Sequence, residues 1–106
     1  MAHGIIVNVP APIDMYRAVN AQITETVGDN MPAGFLAHIA RATPDGFQVI
    51  EIWESKQQCD EFEDAVLAPI IDRVSGGQAP PRADVTEEFE VENFFIGTGV
   101  STASSE

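Results

Sequence analysis

Apolar residues along this chain follow two different periods, and each switch between them marks an element. Ile5-Ile6-Val7-Asn8-Val9 is a short β-branched run halted by Pro10, which predicts a strand. Pro12 stands where the first turn of a helix tolerates it. Beyond it Ile13, Tyr16, Val19, Ile23 and Val27 recur at helical spacing, with Asp14, Arg17, Gln22 and Glu25 between them. That pattern predicts an amphipathic helix closed by Gly28, followed by a loop over 29–34. Residues 35–42 and 47–54 are strand-like runs around Thr43-Pro44-Asp45-Gly46, a strong hairpin signal. Ser55 and Gln58 form a capping box ahead of a second helix. Its stripe is Cys59, Phe62, Val66, Ile70 and Val74, with a kink or step expected at Pro69. Gly76-Gly77 ends it, and 78–83 reads as an extended connection. Alternation over 85–96 predicts a last strand. The small, polar stretch 101–106 reads as a disordered tail, leaving 1–100 as one domain.

The order β-α-β-β-α-β predicts an α+β, ferredoxin-like fold: a four-stranded antiparallel sheet with two helices on one face. The hairpin sharpens this. If the turn pairs Ala42 with Phe47, then Ala40 faces Val49, His38 faces Glu51 and Leu36 faces Trp53, all on one side of the sheet. The other side then carries Phe35, Ala37, Ile39 and Arg41 beside Gln48, Ile50, Ile52 and Glu54. Both faces are substantially apolar, so the face without helices would be left in water as a patch. Pairing with a second copy through that outer face removes the problem, and a homodimer is expected.

Composition narrows the function classes. An apolar fraction of 44% over 106 residues suits one folded domain with a modest core. Seventeen Asp and Glu against five Lys and Arg leave a formal charge of -12, which repels nucleic acid and anionic membranes. No segment approaches the ~18 apolar residues that read as a membrane span, and no secretory signal pattern opens the chain. A single cysteine, Cys59, precludes an internal disulfide and fits a reducing compartment, so a cytoplasmic protein is expected.

At Phe47-Gln48-Val49-Ile50-Glu51-Ile52-Trp53-Glu54-Ser55-Lys56, with Phe62 several residues on, the chain resembles the dimeric α+β barrel superfamily. More narrowly it resembles the antibiotic-biosynthesis-monooxygenase-like domains. The resemblance spans about residues 4–97 and implies a homodimer of two sheets packed face to face, each subunit keeping a pocket between sheet and helices. It also implies a range of activities: cofactor-independent oxygenases of aromatic polyketides, polyketide cyclases, isomerases and heme-degrading enzymes. Asn8 and Trp53 match two signature positions of the heme-degrading branch. The third, an iron-binding His on the second helix, has no counterpart, because 56–75 contains no His.

The residues that could carry chemistry are few. His38 opposite Glu51 would form a general base whose carboxylate orients the imidazole; a satisfied structural pair is the equal alternative. Trp53 offers a flat wall for an aromatic ligand, or is simply a core aromatic. Asn8 could hold an oxyanion through its amide, or be a polar residue near a strand end. Tyr16 lies on the helical stripe, where its hydroxyl could reach the pocket or stay in the core. Leu36 and Val49 complete the expected pocket wall. Cys59 reads as a small core residue, and Asp60, Glu61, Glu63 and Asp64 as a solvated helix face. The expectation is a cofactor-independent enzyme, without metal, acting on a small hydrophobic or aromatic, polyketide-like molecule. A non-catalytic ligand-binding or accessory dimer is the alternative, and heme binding a weaker one.

Overall fold

The computed structural model describes residues 2–78 and 85–95. Strand β1 (His3–Val9) leads to helix α1 (Ile13–Val27), the hairpin β2 (Phe35–Thr43) and β3 (Gly46–Trp53), a second helical stretch, and strand β4 (Val85–Glu90). The sheet is antiparallel in the order β2-β3-β1-β4. This is the βαββαβ arrangement expected from the periodicity. The expected tail 101–106, the end of the connection 78–83 and Ile96 lie outside the described residues. Strand β4 is shorter than the alternation suggests and ends at Glu90.

Local chemistry sets most element ends. Pro12 is itself the extended N-cap of α1, one position earlier than expected, and Gly28 closes the helix at φ 59°. Ser55 Oγ accepts the backbone N–H of Gln58 at 3.2 Å, so the serine caps the helix, and it donates to Gln58 Oε1 at 3.0 Å. The hairpin turn has no Cβ at Gly46, where one would collide with the Val9 carbonyl oxygen of the neighbouring strand. Only glycine lets the backbones approach this closely.

The second helical stretch is stepped just ahead of Pro69. It runs as α2 (Lys56–Phe62), a π-helical turn over Glu63–Leu67 and α3 (Ala68–Ser75). Proline lacks an N–H, and its ring crowds the carbonyl one turn back. The helix widens just before it: the Ala68 N–H reaches the Glu63 carbonyl, an i to i+5 bond. The wider turn keeps the helix continuous while re-aiming the side chains on either side.

The hairpin register agrees with the expected pairing from Ala42↔Phe47 through His38↔Glu51. Beyond Ala37 it slips: a bulge between Phe35 and Ala37 sets Phe35, not Leu36, opposite Trp53. The expected Leu36–Trp53 pair therefore does not form. Phe35 moves from the predicted outer face to the inner one and meets the Trp53 indole edge-on at 5.5 Å.

The core is in two parts. Ile5, Trp53 and Cys59, with Phe35 and Phe62 against them, form one cluster at the end where β3 enters α2. Val19, Ile70 and Ile71, with Met15, Ile23 and Leu67, form the other between α1 and α3. A cavity lies between them.

Candidate functional site

Alternation along β1 turns Ile5, Val7 and Val9 towards the helices, and along β3 it turns Phe47, Val49 and Glu51 the same way. Helix α1 covers them with Met15, Val19 and Ile23, and the π-helical turn and α3 close the far side with Leu67 and Ile71. The enclosed space measures about 160 Å³. An apolar cavity of about 150 Å³ accepts benzene, so one aromatic ring fits inside and anything larger protrudes.

Five polar residues line this otherwise apolar space: Tyr16, Asn20, His38, Glu51 and Glu63. Three of them form a continuous row. The Tyr16 hydroxyl donates to His38 Nε2 at 2.7 Å, and His38 Nδ1–H donates to Glu51 Oε2 at 2.9 Å. The Trp53 indole N–H occupies the other oxygen, Glu51 Oε1, at 3.1 Å. This assignment of protons follows from the partners: the carboxylate can only accept, so Nδ1 carries hydrogen and Nε2 is free to accept from the phenol. The order of acid, imidazole and carboxylate is that of a hydrolase triad, with a phenol in the place of the serine. Burial pushes the Tyr16 pKa up from its ordinary 10.0, and the Glu51 charge pushes it further in the same direction. The phenol is thus a donor at neutral pH. Its ring stacks on His38 at 5.8 Å and leans on Phe47 at 5.7 Å, so packing as well as hydrogen bonding fixes it.

His38, Glu51, Tyr16 and Val49 are brought together on the cavity. Three expected wall residues are not. Trp53 is 1% exposed and lies beneath Glu51 in the core, where it holds the carboxylate instead of facing a ligand. Leu36 falls in the bulge and leaves the wall. Asn8 points to the opposite side of the sheet, because Ile5, Val7 and Val9 claim the inner positions of β1. There its Oδ1 accepts from Gln48 Nε2 at 3.0 Å, and Gln48 Oε1 accepts from Arg41 Nε at 3.0 Å. It cannot hold an oxyanion in the cavity.

Glu63 was expected on a solvated face but is 8% exposed. Two spacings could have revealed it: Glu63 is four residues after Cys59 and three before Val66, both on the apolar stripe. The Cys59 thiol, 2% exposed, donates to Glu63 Oε2 at 3.8 Å. Its pKa is pushed up to about 12, by burial first and then by Glu63, Glu51 and Asp60, against a smaller pull from Lys56. The thiol stays protonated, as a core residue would. Donor atoms of Glu51, Cys59 and Glu63 lie within 4.8 Å of one another, close enough to surround an ion. Hydrogen bonds from His38, Trp53 and Cys59 already occupy the carboxylates, so the cluster reads as one held together by protons.

Heme does not fit. Both nitrogens of His38 are engaged by Tyr16 and Glu51, and a cavity of about 160 Å³ holds one ring, not a macrocycle.

The fold defines the class of the protein as a ferredoxin-like α+β domain with its pocket between sheet and helices. A solved structure from Chloroflexus aurantiacus J-10-fl, provisionally named an antibiotic biosynthesis monooxygenase, superposes with a TM-score of 0.53. The two are 21% identical, and the match covers 92% of this chain and 100% of that one. The likeness establishes that the chain has the antibiotic-biosynthesis-monooxygenase-like fold. No family model and no curated protein matches the sequence. Among the described residues, no helix is long and apolar enough to cross a membrane.

Proposed function

We propose that this protein is a cofactor-independent enzyme that removes an acidic proton from a small aromatic or 1,3-dicarbonyl compound bound in the cavity. The hydrogen-bonded row Tyr16–His38–Glu51, ending in an apolar enclosure, is the observation that carries this reading. The substrate proton passes to the Tyr16 oxygen as Tyr16 hands its own to His38 Nε2. Glu51 then neutralises the imidazolium through Nδ1, and Trp53 keeps the carboxylate aimed. No group has to move first, since each is already within hydrogen-bond reach of the next. The enolate or phenolate so formed can react with dioxygen, cyclise or be reprotonated, which are the outcomes that monooxygenase, cyclase and isomerase chemistry share. The name carried by the Chloroflexus protein of like fold favours the first. The cavity volume favours a single-ring substrate, or one ring of a larger molecule.

We further propose that the working form is a homodimer paired through the outer sheet face. Ile39 is 58% exposed there, beside Ile50 of β3, and the Phe89 ring lies over Gly4 on the same side. A second copy would cover these side chains.

Deuterium exchange at the acidic C–H of a monocyclic 1,3-dicarbonyl, followed by NMR, tests the proton-abstraction step whatever its later fate. His38→Ala should slow exchange by about 10²–10⁴-fold, and Tyr16→Phe, which removes the group that contacts the substrate, should do the same. Exchange unchanged in a folded His38→Ala variant would overturn the proposal.

A further inference from the structure

We propose that Asn20 sets the ligand specificity of the cavity: its side-chain amide, at the mouth, holds the carbonyl oxygen beside the carbon that loses its proton. The inference deepens the proton-abstraction reading and rests on it for the reaction, though not for the binding.

Position along α1 carries the first part. Ile13, Tyr16, Asn20, Ile23 and Val27 recur at alternating three- and four-residue steps, one continuous stripe down the helix. The residue at its centre is Asn, a poorer helix former than Ala or Leu. Asn20 stands in the middle of the helix and caps neither end. A polar residue here works against both the helix and its packing, and such a local conflict marks a position that function has set.

The second part is what surrounds it. Asn20 lines the cavity one helical turn beyond Tyr16, about 6 Å along the axis. Tyr16, His38 and Glu51 are bound to one another, and Glu63 accepts from the Cys59 thiol. Among the described residues the Asn20 amide makes no hydrogen bond. Asn20 and His38 are exposed and Tyr16 half-buried, whereas Phe47, Glu51 and Ile71 are buried. The cavity therefore opens beside the first three and has its floor at the others. Water hydrates the amide while the site is empty. A ligand that enters past it strips that water, and only a polar group of the ligand restores the lost hydrogen bond.

The chemistry follows from size and position. One aromatic ring fills the apolar floor, so the group attached to that ring ends at the mouth, between Tyr16 and Asn20. The ligand that matches is an aryl 1,3-dicarbonyl, with its acidic carbon at Tyr16 and a neighbouring carbonyl oxygen at Asn20 Nδ2. As the C–H proton passes to the Tyr16 oxygen and the Tyr16 proton to His38 Nε2, the C–H electron pair moves onto that carbonyl oxygen. The amide N–H then holds an enolate, more strongly than it held the ketone. Among the described residues no Lys or Arg lines the cavity, so a neutral donor has to serve. Oxyanion stabilisation, expected from Asn8, comes from α1 instead.

Asn20→Leu tests this, because it removes the amide, keeps the size and suits the stripe. Urea unfolding should find the variant no less stable than wild type. In NMR titrations it should bind acetophenone about tenfold more weakly than wild type does, yet bind toluene at least as tightly. An equal effect on the two ligands, no loss for acetophenone, or no binding of acetophenone to the wild type overturns the proposal. Deuterium exchange at the central carbon of 1-phenylbutane-1,3-dione should slow tenfold or more in Asn20→Leu, about the effect of losing one oxyanion donor at an exposed position. Asn20→Asp, which sets a carboxylate against the enolate, should be no faster. Exchange at the wild-type rate in Asn20→Leu overturns the oxyanion role. The two readings fail separately. If His38 is not the base, exchange ignores His38→Ala while the preference for acetophenone still depends on Asn20; if Asn20 does not hold the carbonyl, exchange depends on His38 and not on Asn20.

Discussion

Replacing Trp53 by Phe tests whether the buried carboxylate at the centre of the site is held as an anion. The substitution keeps an aromatic ring between Phe35 and Phe62 but deletes the only N–H that Trp53 donates to Glu51 Oε1. Leaving a buried charged acceptor without its donor costs about 1.5–3 kcal/mol. Contracting indole to phenyl at a position 1% exposed adds about 1 kcal/mol, comparable to the smaller core truncations. The expected loss is about 2.5–4 kcal/mol, a large share of the ~5–15 kcal/mol that stabilises a domain. At about 4–8 °C per kcal/mol the melting temperature falls by roughly 10–30 °C. Urea unfolding followed by far-ultraviolet circular dichroism measures this at one fixed protein concentration, because dimerisation would otherwise shift the midpoint. Fluorescence cannot be used, since the variant lacks the chain's only Trp. A double-mutant cycle with Glu51→Gln separates the hydrogen bond from the packing and should return a coupling of about 1 kcal/mol or more. A total loss below about 1 kcal/mol, or zero coupling, would refute the picture of an anionic Glu51 clamped between His38 and Trp53.

The Cys59 thiol is raised from 9.0 to about 12 in the folded protein. A thiol that ionises less readily when folded contributes stability that is fully present below pH 9.0 and is lost as pH climbs towards 12. Over that window stability should fall by up to about 1.4 kcal/mol per pH unit from this group alone; Cys59→Ala should flatten the slope, and an unchanged alkaline slope would argue against a buried thiol. Gly46→Ala should destabilise the hairpin by at least about 1–3 kcal/mol through overpacking against the Val9 carbonyl, read from chemical denaturation. Ile39→Asp should convert a dimer to monomers in sedimentation equilibrium while leaving the cavity chemistry of each subunit folded. A wild-type protein that stays monomeric at micromolar concentration would refute pairing through the outer face.

Features that depend on neighbours along the chain are legible in the residues alone. The β-branched run at Ile5, the stripe from Ile13 to Val27 and the capping box at Ser55 each predict an element from local spacing. The Thr43-Pro44-Asp45-Gly46 turn also determined a piece of tertiary geometry. It sets the register of two adjoining strands, and with side chains alternating, His38 had to meet Glu51. Tertiary structure decided the rest, where the cause lies in distant contacts. The bulge that exchanged Leu36 for Phe35 opposite Trp53 has no sequence signal among the turn residues. Asn8 turned outward because its odd-numbered neighbours Ile5, Val7 and Val9 were the ones the helices covered. Tyr16 found His38 only when α1 crossed the sheet. Glu63, an acidic residue among acidic residues, became buried because the helix widened before Pro69 and closed on the cavity beside Glu51. Local periodicity says which side of an element is apolar; only packing says which polar residue on that side is taken in with it.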